Sequence, residues 1–563
     1  MNDAKSKLSY SPRFLSAMAG LAALAVSLPS LGSGFFLGDP RIVAEAGGSP
    51  FAGMSFLLDR SIWGMSPLGF HVTSALIHAA NSMLVFAVGY YLFKKESPWP
   101  AFLGALLFAL HPMNTEAVSW ISARGELIYT TFFLLSLVSY LNYTEHRGGL
   151  KGPGRQNPGA RLEDRARGAA WLVLTGAFFF LSLLGSEKAL ALAAVVPLIA
   201  FALSDRPAGL LKRLAPAVGV CVATLAAFYA LAPLALGGAP ELAVKNRIFD
   251  MGISPGLGHY AGKLVLPLGL DLYPQVPGSA FYMLAGLALV ASVALLYAWR
   301  LRLEAFLVAW VVASLLPSFF VIDYSGSVLD ERYLYLPAAA FALLLAARLS
   351  MIRSRPALLA VSVVFVTSYA FLSFQATASW KNEGGLVAEA LQKDAQSMYE
   401  NPSQASYVLT RLGKEETEAG DYVKAWGHLR EALRADDRNY MAYYQGGRLF
   451  ERLHEKFGRE GDVAARRALA LEAVRVLEKG SENFPQFGYT HLQLGVWYVR
   501  LSLWEEAEAA LSKAVMLNPQ DEEAAALLML TQGLRERGLR TSNGLAEVGG
   551  RLPVSGQSND DAF

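Results

Sequence analysis

Eleven apolar stretches, at about 14–36, 70–93, 99–115, 127–143, 169–186, 188–204, 214–236, 280–298, 304–321, 333–348 and 357–375, fill most of the first 375 of the chain's 563 residues. They constrain the fold more than any other feature. A spanning helix needs about 20 largely apolar residues, and a backbone in hydrocarbon must satisfy its own hydrogen bonds. The expectation is therefore an all-α, polytopic membrane domain of about eleven spans. Only 17% of residues are charged, against about a quarter in soluble domains, and the charge gathers after residue 376. A net charge of +2, with its basic residues scattered between spans, says nothing of nucleic acid, and no nucleic-acid partner is expected. Cys221 stands alone, which excludes an intramolecular disulfide and a thiolate metal cluster. Lys5, Lys7 and Arg13 precede the first run and no small-residue cleavage site follows it, so it reads as a signal anchor.

Basic residues set the orientation. With the N-terminus inside, the cytoplasmic segments carry Lys94 and Lys95, then Arg147 to Arg167, then Arg206, Lys212 and Arg213, then Arg300 and Arg302, then Arg348, Arg353 and Arg355. The opposite loops carry fewer, chiefly Arg41, Arg60, Arg124, Lys188, Lys245, Arg247, Lys263 and Arg332. That asymmetry follows the positive-inside rule and would leave the region after 376 outside, across the inner membrane of a bacterium. The broken stretch 256–274 fits no span and reads as interfacial or re-entrant.

This orientation sends most of the oddly placed charges to one face. The segment HPMNTEAVSWISARGE, 111–126, places His111, Glu116, Arg124 and Glu126 between two apolar runs. Read as one helix, it would put Glu116, Trp120 and Arg124 on a shared face. Glu187 and Lys188 interrupt an otherwise apolar stretch, and Glu331, Arg332, Tyr333 and Tyr335 fall in DERYLYLP, 330–337. Charges clustered at one membrane surface make a candidate site. The blander alternative is a set of solvated loops, with His111 merely capping a helix and the tyrosines anchoring the interface. His71, His78 and His259 have no zinc spacing.

Beyond 376 the chain reads as helical and contains a repeat. Leu412-Gly413, Tyr422, Ala425, Leu429 and Ala432 recur 82 residues later as Leu494-Gly495, Trp504, Ala507, Leu511 and Ala514. Small residues at these positions suit paired helices of tetratricopeptide type, with a degenerate unit between them. The domain reading is thus 1–375 membrane, 376–540 repeats able to bind a protein, and 541–563 a polar tail without order.

Three segments carry a family resemblance: HPMNTEAVSWISARGEL, SEKALALAAVVPL and DERYLYLP, followed by the repeats. Together they resemble the transmembrane and tetratricopeptide-repeat-containing (TMTC) glycosyltransferases and their bacterial relatives, from about residue 35 to 530. The resemblance implies a GT-C membrane fold. Such a fold moves a sugar from a polyprenyl-phosphate-linked donor to an acceptor hydroxyl, on protein Ser or Thr, outside the cytoplasm. It also implies an acidic motif in the first external loop, which here is Gly38-Asp39-Pro40-Arg41-Ile42 and retains only the second acid. Asp39 then stands as the base. Arg124, Lys188 and Arg332 become phosphate partners, and Glu116, Glu126, Glu187, Glu331, His111, Tyr333 and Tyr335 contacts for the donor phosphate and sugar. No spacing demands a metal, although a divalent cation on Asp39 and a second carboxylate is compatible with the sequence. The alternative is a catalytically silent scaffold whose repeats recruit an envelope or appendage assembly complex.

Overall fold

The computed structural model describes residues 10–35, 43, 49–148, 158–202, 210–236, 253–268, 280–320, 330–380, 402–460, 462–519 and 521–536. The chain divides into two compact units, Met1–Leu386 and Val387–Phe563, and among the described residues there is no strand. The first unit contains α1 (Pro12–Ser27), α2 (Pro50–Trp63), α3 (Pro67–Leu92), α4 (Pro98–Ala109), α5 (Thr115–Ser119), α6 (Arg124–Gly148) and α7 (Pro158–Gly185). It continues with α8 (Leu192–Ala202), α9 (Leu210–Leu236), α10 (Ile253–Val265), α11 (Ala280–Ala298), α12 (Arg302–Leu315), α13 (Tyr335–Leu349) and α14 (Arg355–Ser379).

Several of these helices begin for a local reason that the sequence spells out. Ser-Pro pairs open α1, α2, α3 and α4. Proline suits the first helical turn, where its missing N–H would have had no partner, and the serine hydroxyl accepts one of the remaining orphan donors. Ser11, Ser49 and Ser97 do so, from the N–H groups of Phe14, Ala52 and Trp99.

Nine helices among the described residues are long and apolar enough to cross a membrane, and the first unit is a helical membrane domain. The expected count of eleven is corrected at two places. α4 has 12 residues and α8 has 11, so they extend roughly 16 to 18 Å against a hydrocarbon core of about 30 Å. The reason is local: the backbone leaves the α-helix at His111-Pro112 and begins as a 3-10 turn over Glu187–Ala191 before α8. Both part-length helices therefore end or begin at charged segments.

In the core, α3 packs against α1, α4 and α6, while α13 packs against α4 and α12. Glycine sets one of these approaches. A Cβ at Gly89 or Gly104 would lie 2.6 or 2.8 Å from the Leu343 side chain, so α3 and α4 receive α13 only because both positions are bare. By contrast, α11 buries only Gly286 and otherwise faces outward with apolar side chains.

The second unit contains α15 (Pro402–Ala419), α16 (Tyr422–Ala435), α17 (Tyr440–Glu460), α18 (Val463–Asn483), α19 (Gly488–Arg500), α20 (Trp504–Leu517) and α21 (Glu522–Glu536). Each packs on its chain neighbour. The sequence repeat has a physical counterpart here. A Cβ at Gly413 would come within 2.5 Å of Leu429 Cγ, and one at Gly495 within 2.5 Å of Leu511 Cγ. The α15–α16 and α19–α20 pairs thus make the same close contact 82 residues apart. The stretch 541–563 lies outside the described residues.

Candidate functional site

The segment 111–126 is not one helix. After α4 the chain makes a 3-10 turn at Pro112–Asn114 and the short α5, then turns extended at Trp120 (φ −84°, ψ 113°). A second 3-10 turn at Ile121–Ala123 leads into α6. The break at Trp120 overturns the shared face expected for Glu116 and Arg124, which go to different partners.

Arg124 is wholly buried. Its Nη1 pairs with Asp59 Oδ2 of α2 at 2.6 Å and also donates to Ser55 Oγ at 3.1 Å. Nη2 donates to the Phe70 carbonyl at 2.7 Å and Nε to Ser74 Oγ at 3.3 Å. Phe56 and Phe70 close over the guanidinium. Asp59 accepts a further hydrogen bond from Thr73. So complete a shell makes Arg124 a clamp joining α2, α3 and α6, rather than a group waiting for a phosphate. Asp59 was not singled out in the sequence, although an acid directly after the apolar run PFAGMSFLL is a signal of a buried pair.

Glu116 turns instead toward residues 330–333. Its Oε2 accepts the backbone N–H of Arg332 at 3.1 Å. The Arg332 guanidinium pairs with Asp330 at 2.5 Å and lies 4.7 Å from the Trp120 ring, which stacks on Trp380. Lys188 forms an ion pair with Glu126 and stands 4.0 Å over the Tyr333 ring. Arg332 also approaches that ring, at 5.5 Å, so Tyr333 joins the two cations. α10, which takes in the first half of the doubtful stretch 256–274, forms a wall of the same cluster, while 269–274 lies outside the described residues. Lys263 of α10 donates to Glu331 at 2.9 Å, and the Tyr260 hydroxyl donates to the Asp330 carbonyl at 3.2 Å. Asp330, Tyr260 and Lys263 were not among the expected site residues.

Two expected contacts lie elsewhere. His111 is buried; its Nδ1 accepts the Met113 N–H and its Nε2 donates to the Leu264 carbonyl at 3.2 Å, which is a capping and packing role. Tyr335 is fully buried, donating to His78 Nδ1 at 2.8 Å and accepting from Asn81, so it belongs to the helix core. Glu187 is half-buried at the start of the 3-10 turn before α8. Asp39 lies outside the described residues.

The charge balance of the cluster has a consequence. Four carboxyls, Glu116, Glu126, Asp330 and Glu331, meet three cations, Lys188, Lys263 and Arg332, and only Glu116 has no cation side chain bonded to it among the described residues. Burial pushes the Glu116 carboxyl well above the usual carboxylate range, and the nearby Asp330 adds to the effect, partly offset by Arg332. The other three acids are matched one to one by Lys188, Lys263 and Arg332. Nearby, Ser119 Oγ and Asn114 Oδ1 are buried with no hydrogen-bond partner among the described residues, two polar atoms that a hydroxyl-rich ligand could satisfy. Among the described residues no group of three or more His, Cys, Asp or Glu is arranged to hold a metal. The cluster's other acids are paired with Lys or Arg, and Asp39, the expected cation ligand, lies outside the described residues.

No family model matches the chain. Over 99 residues, 18% of its length, it is 36% identical to the human protein O-mannosyl-transferase TMTC2. It is 34% identical over 118 residues, 20% of its length, to the Drosophila melanogaster protein O-mannosyl-transferase Tmtc1. Over 100 residues it is 35% identical to the mouse protein O-mannosyl-transferase TMTC4. The resemblance expected from the sequence is therefore found, but over about a fifth of the chain rather than most of it. The matches span only 12% to 14% of the length of these relatives.

Proposed function

We propose that this integral membrane protein is a glycosyltransferase. In this reading it moves a sugar from a polyprenyl-phosphate-linked donor to a hydroxyl of a protein acceptor on the non-cytoplasmic face. The observation that carries the reading is the pair of cations, Lys188 before the part-length α8 and Arg332 before α13, buried on one tyrosine ring in a chain similar to named protein O-mannosyl-transferases.

The chemistry sets each role. The acceptor oxygen bonds to the anomeric carbon as the bond from that carbon to the phosphate oxygen breaks, with inversion. The acceptor's proton goes to a carboxylate, for which Asp39 is the assigned group; its placement matters more than its bulk pKa. The leaving polyprenyl phosphate gains negative charge, which Lys188 and Arg332 stabilise by shifting from Glu126 and Asp330 onto phosphate oxygens. Preorganised cations are most effective in such a dry site. Glu116, retaining its proton, can donate to a sugar oxygen. The repeats of the second unit are assigned to the acceptor protein.

Comparing intact masses of envelope proteins between a deletion strain, the wild type and Asp39→Ala tests the assignment. Loss of a hexose-sized mass increment in both the deletion strain and the variant is expected. Unchanged glycans in the deletion strain would remove the enzymatic reading, while loss in the deletion strain alone would reassign the base.

One observation favours a second reading, a silent scaffold. Lys188, Arg332 and Lys263 all have internal acid partners, and the acidic motif keeps a single acid. The deletion strain separates the two readings directly.

A further inference from the structure

In the second unit, N–H donors gather without acceptors. α17, α18 and α19 pack on one another, and side chains from all three meet around one indole. His454 of α17 stands edge-on to the Trp497 ring, with centroids 5.4 Å apart. The Arg500 guanidinium lies 4.5 Å from the same ring. Arg466 of α18 donates from Nη2 to His454 Nε2 at 2.8 Å. An Nε2 that accepts leaves the neutral ring's proton on Nδ1. Burial, with Arg500 and Arg466 adding to it, lowers the His454 pKa to about 3, so the ring is neutral at physiological pH.

The His454 Nδ1–H has no acceptor among the described residues, and neither do Arg500 Nε and Nη1 or Trp497 Nε1. His454 is 5% exposed and Trp497 is fully buried. A buried donor left unmet costs stability, and such groups are nearly always paired. Glu451 and Glu455 of α17 act on Arg500 electrostatically, yet neither bonds to its Nε or Nη1. Arg500 ends α19 and is half-buried, so turning its flexible stem opens these donors to the surface.

We propose that this corner of the repeat unit binds a carboxylate of a protein segment, whose oxygens take the Arg500 N–H groups and the His454 Nδ1–H. The class follows from the donor set. Every unmet atom is an N–H, so the ligand must bring acceptors. The charged groups that act on His454 are both arginines, which favours an anion there. With Glu451 and Glu455 nearby, a singly charged carboxylate suits the site better than a doubly charged phosphate. An acidic side chain and a chain's C-terminus both supply that group. The inference rests on the assignment of the repeats to a protein partner, and it needs no sugar transfer.

Hydrogen–deuterium exchange of the full chain in detergent, read over 450–470 and 495–505, tests it. Three acetylated pentapeptides are the probes. Gly-Ser-Glu-Ser-Gly amide carries a side-chain carboxylate, Gly-Ser-Gln-Ser-Gly with a free end carries a terminal one, and Gly-Ser-Gln-Ser-Gly amide carries none. A carboxylate peptide should protect these segments at about tenfold lower concentration than the uncharged one, the effect of a charge-assisted hydrogen bond. Protection by one carboxylate peptide alone would support the site and name the source. Arg500→Met should erase the difference. That variant should also unfold no earlier than the wild type, because it removes unmet donors while keeping an aliphatic stem against Trp497. Equal protection by all three peptides, or by none, would overturn the proposal, as would a preference that survives in Arg500→Met. Earlier unfolding of the variant would overturn it too, by showing that the fold itself uses the guanidinium. Inorganic phosphate protecting at lower concentration than either carboxylate peptide would overturn the choice of ligand.

Discussion

Two buried charge sites grow out of one sixteen-residue segment, and they are built on opposite terms. Around Arg124 one cation meets one carboxylate, and two hydroxyls and a carbonyl take other guanidinium donors. Around Arg332 and Lys188 the carboxyls outnumber the cations, and burial raises the Glu116 carboxyl. The first arrangement has nothing left to give a ligand. The second can exchange partners, because an incoming phosphate would replace one anion by another without stranding a charge. Position at a membrane surface therefore does not by itself make a charge functional; the state of its partners does.

The largest effect expected from breaking this contrast is at the clamp. Arg124→Met should destabilise the membrane unit by about 3–5 kcal/mol, since it strands Asp59 in a dry site. A thermal melt of the detergent-solubilised protein would show it. The double variant Asp59→Leu with Arg124→Met should recover most of the loss, because a matched apolar pair carries no unpaired charge. Failure of that rescue would mean that the arginine's hydroxyl and carbonyl contacts carry the energy.

Next comes Arg332→Lys, which keeps the charge but loses the planar group that lies on Trp120 and reaches Asp330. Transfer should fall by about 10²-fold, with the melting temperature changing far less than for Arg124→Met. A comparable loss of stability at both positions would erase the distinction between clamp and site.

The smallest effect is the most specific. A carboxyl raised in the folded state contributes stability that is complete below its unfolded pKa, near 4.3, and is lost as pH rises through the folded value. Glu116→Gln should therefore match the wild type near pH 4 and become the more stable protein as pH rises toward neutrality. Melting curves across that range decide it. A variant that is less stable at neutral pH would show that Glu116 is ionised in the fold, and the charge balance drawn above would fail.

Much was legible in the sequence because hydropathy and turn chemistry are local. The Ser-Pro starts of α1 to α4, the positions of the apolar helices, and the glycine contact repeated at Gly413 and Gly495 all follow from residues near one another in the chain. The grouping of Lys188, Glu126, Glu331 and Arg332 was also expected from their shared place between spans. The expectation failed where a helix had to be continuous. Nothing in EAVSWISAR announces that the backbone turns extended at Trp120, so Arg124 was assigned to the wrong partner.

By itself the sequence determined that this chain enters a membrane as helices, which segments interrupt them, and that the later residues repeat at 82. Tertiary structure alone decided which buried acid meets which buried base. Asp59 and Arg124 are 65 residues apart, Glu126 and Lys188 are 62 apart, and Glu116 meets Arg332 across 216. The physical reason is that burial is expensive for every charge alike, so composition demands partners without naming them. Only tertiary packing brings particular atoms within bonding distance.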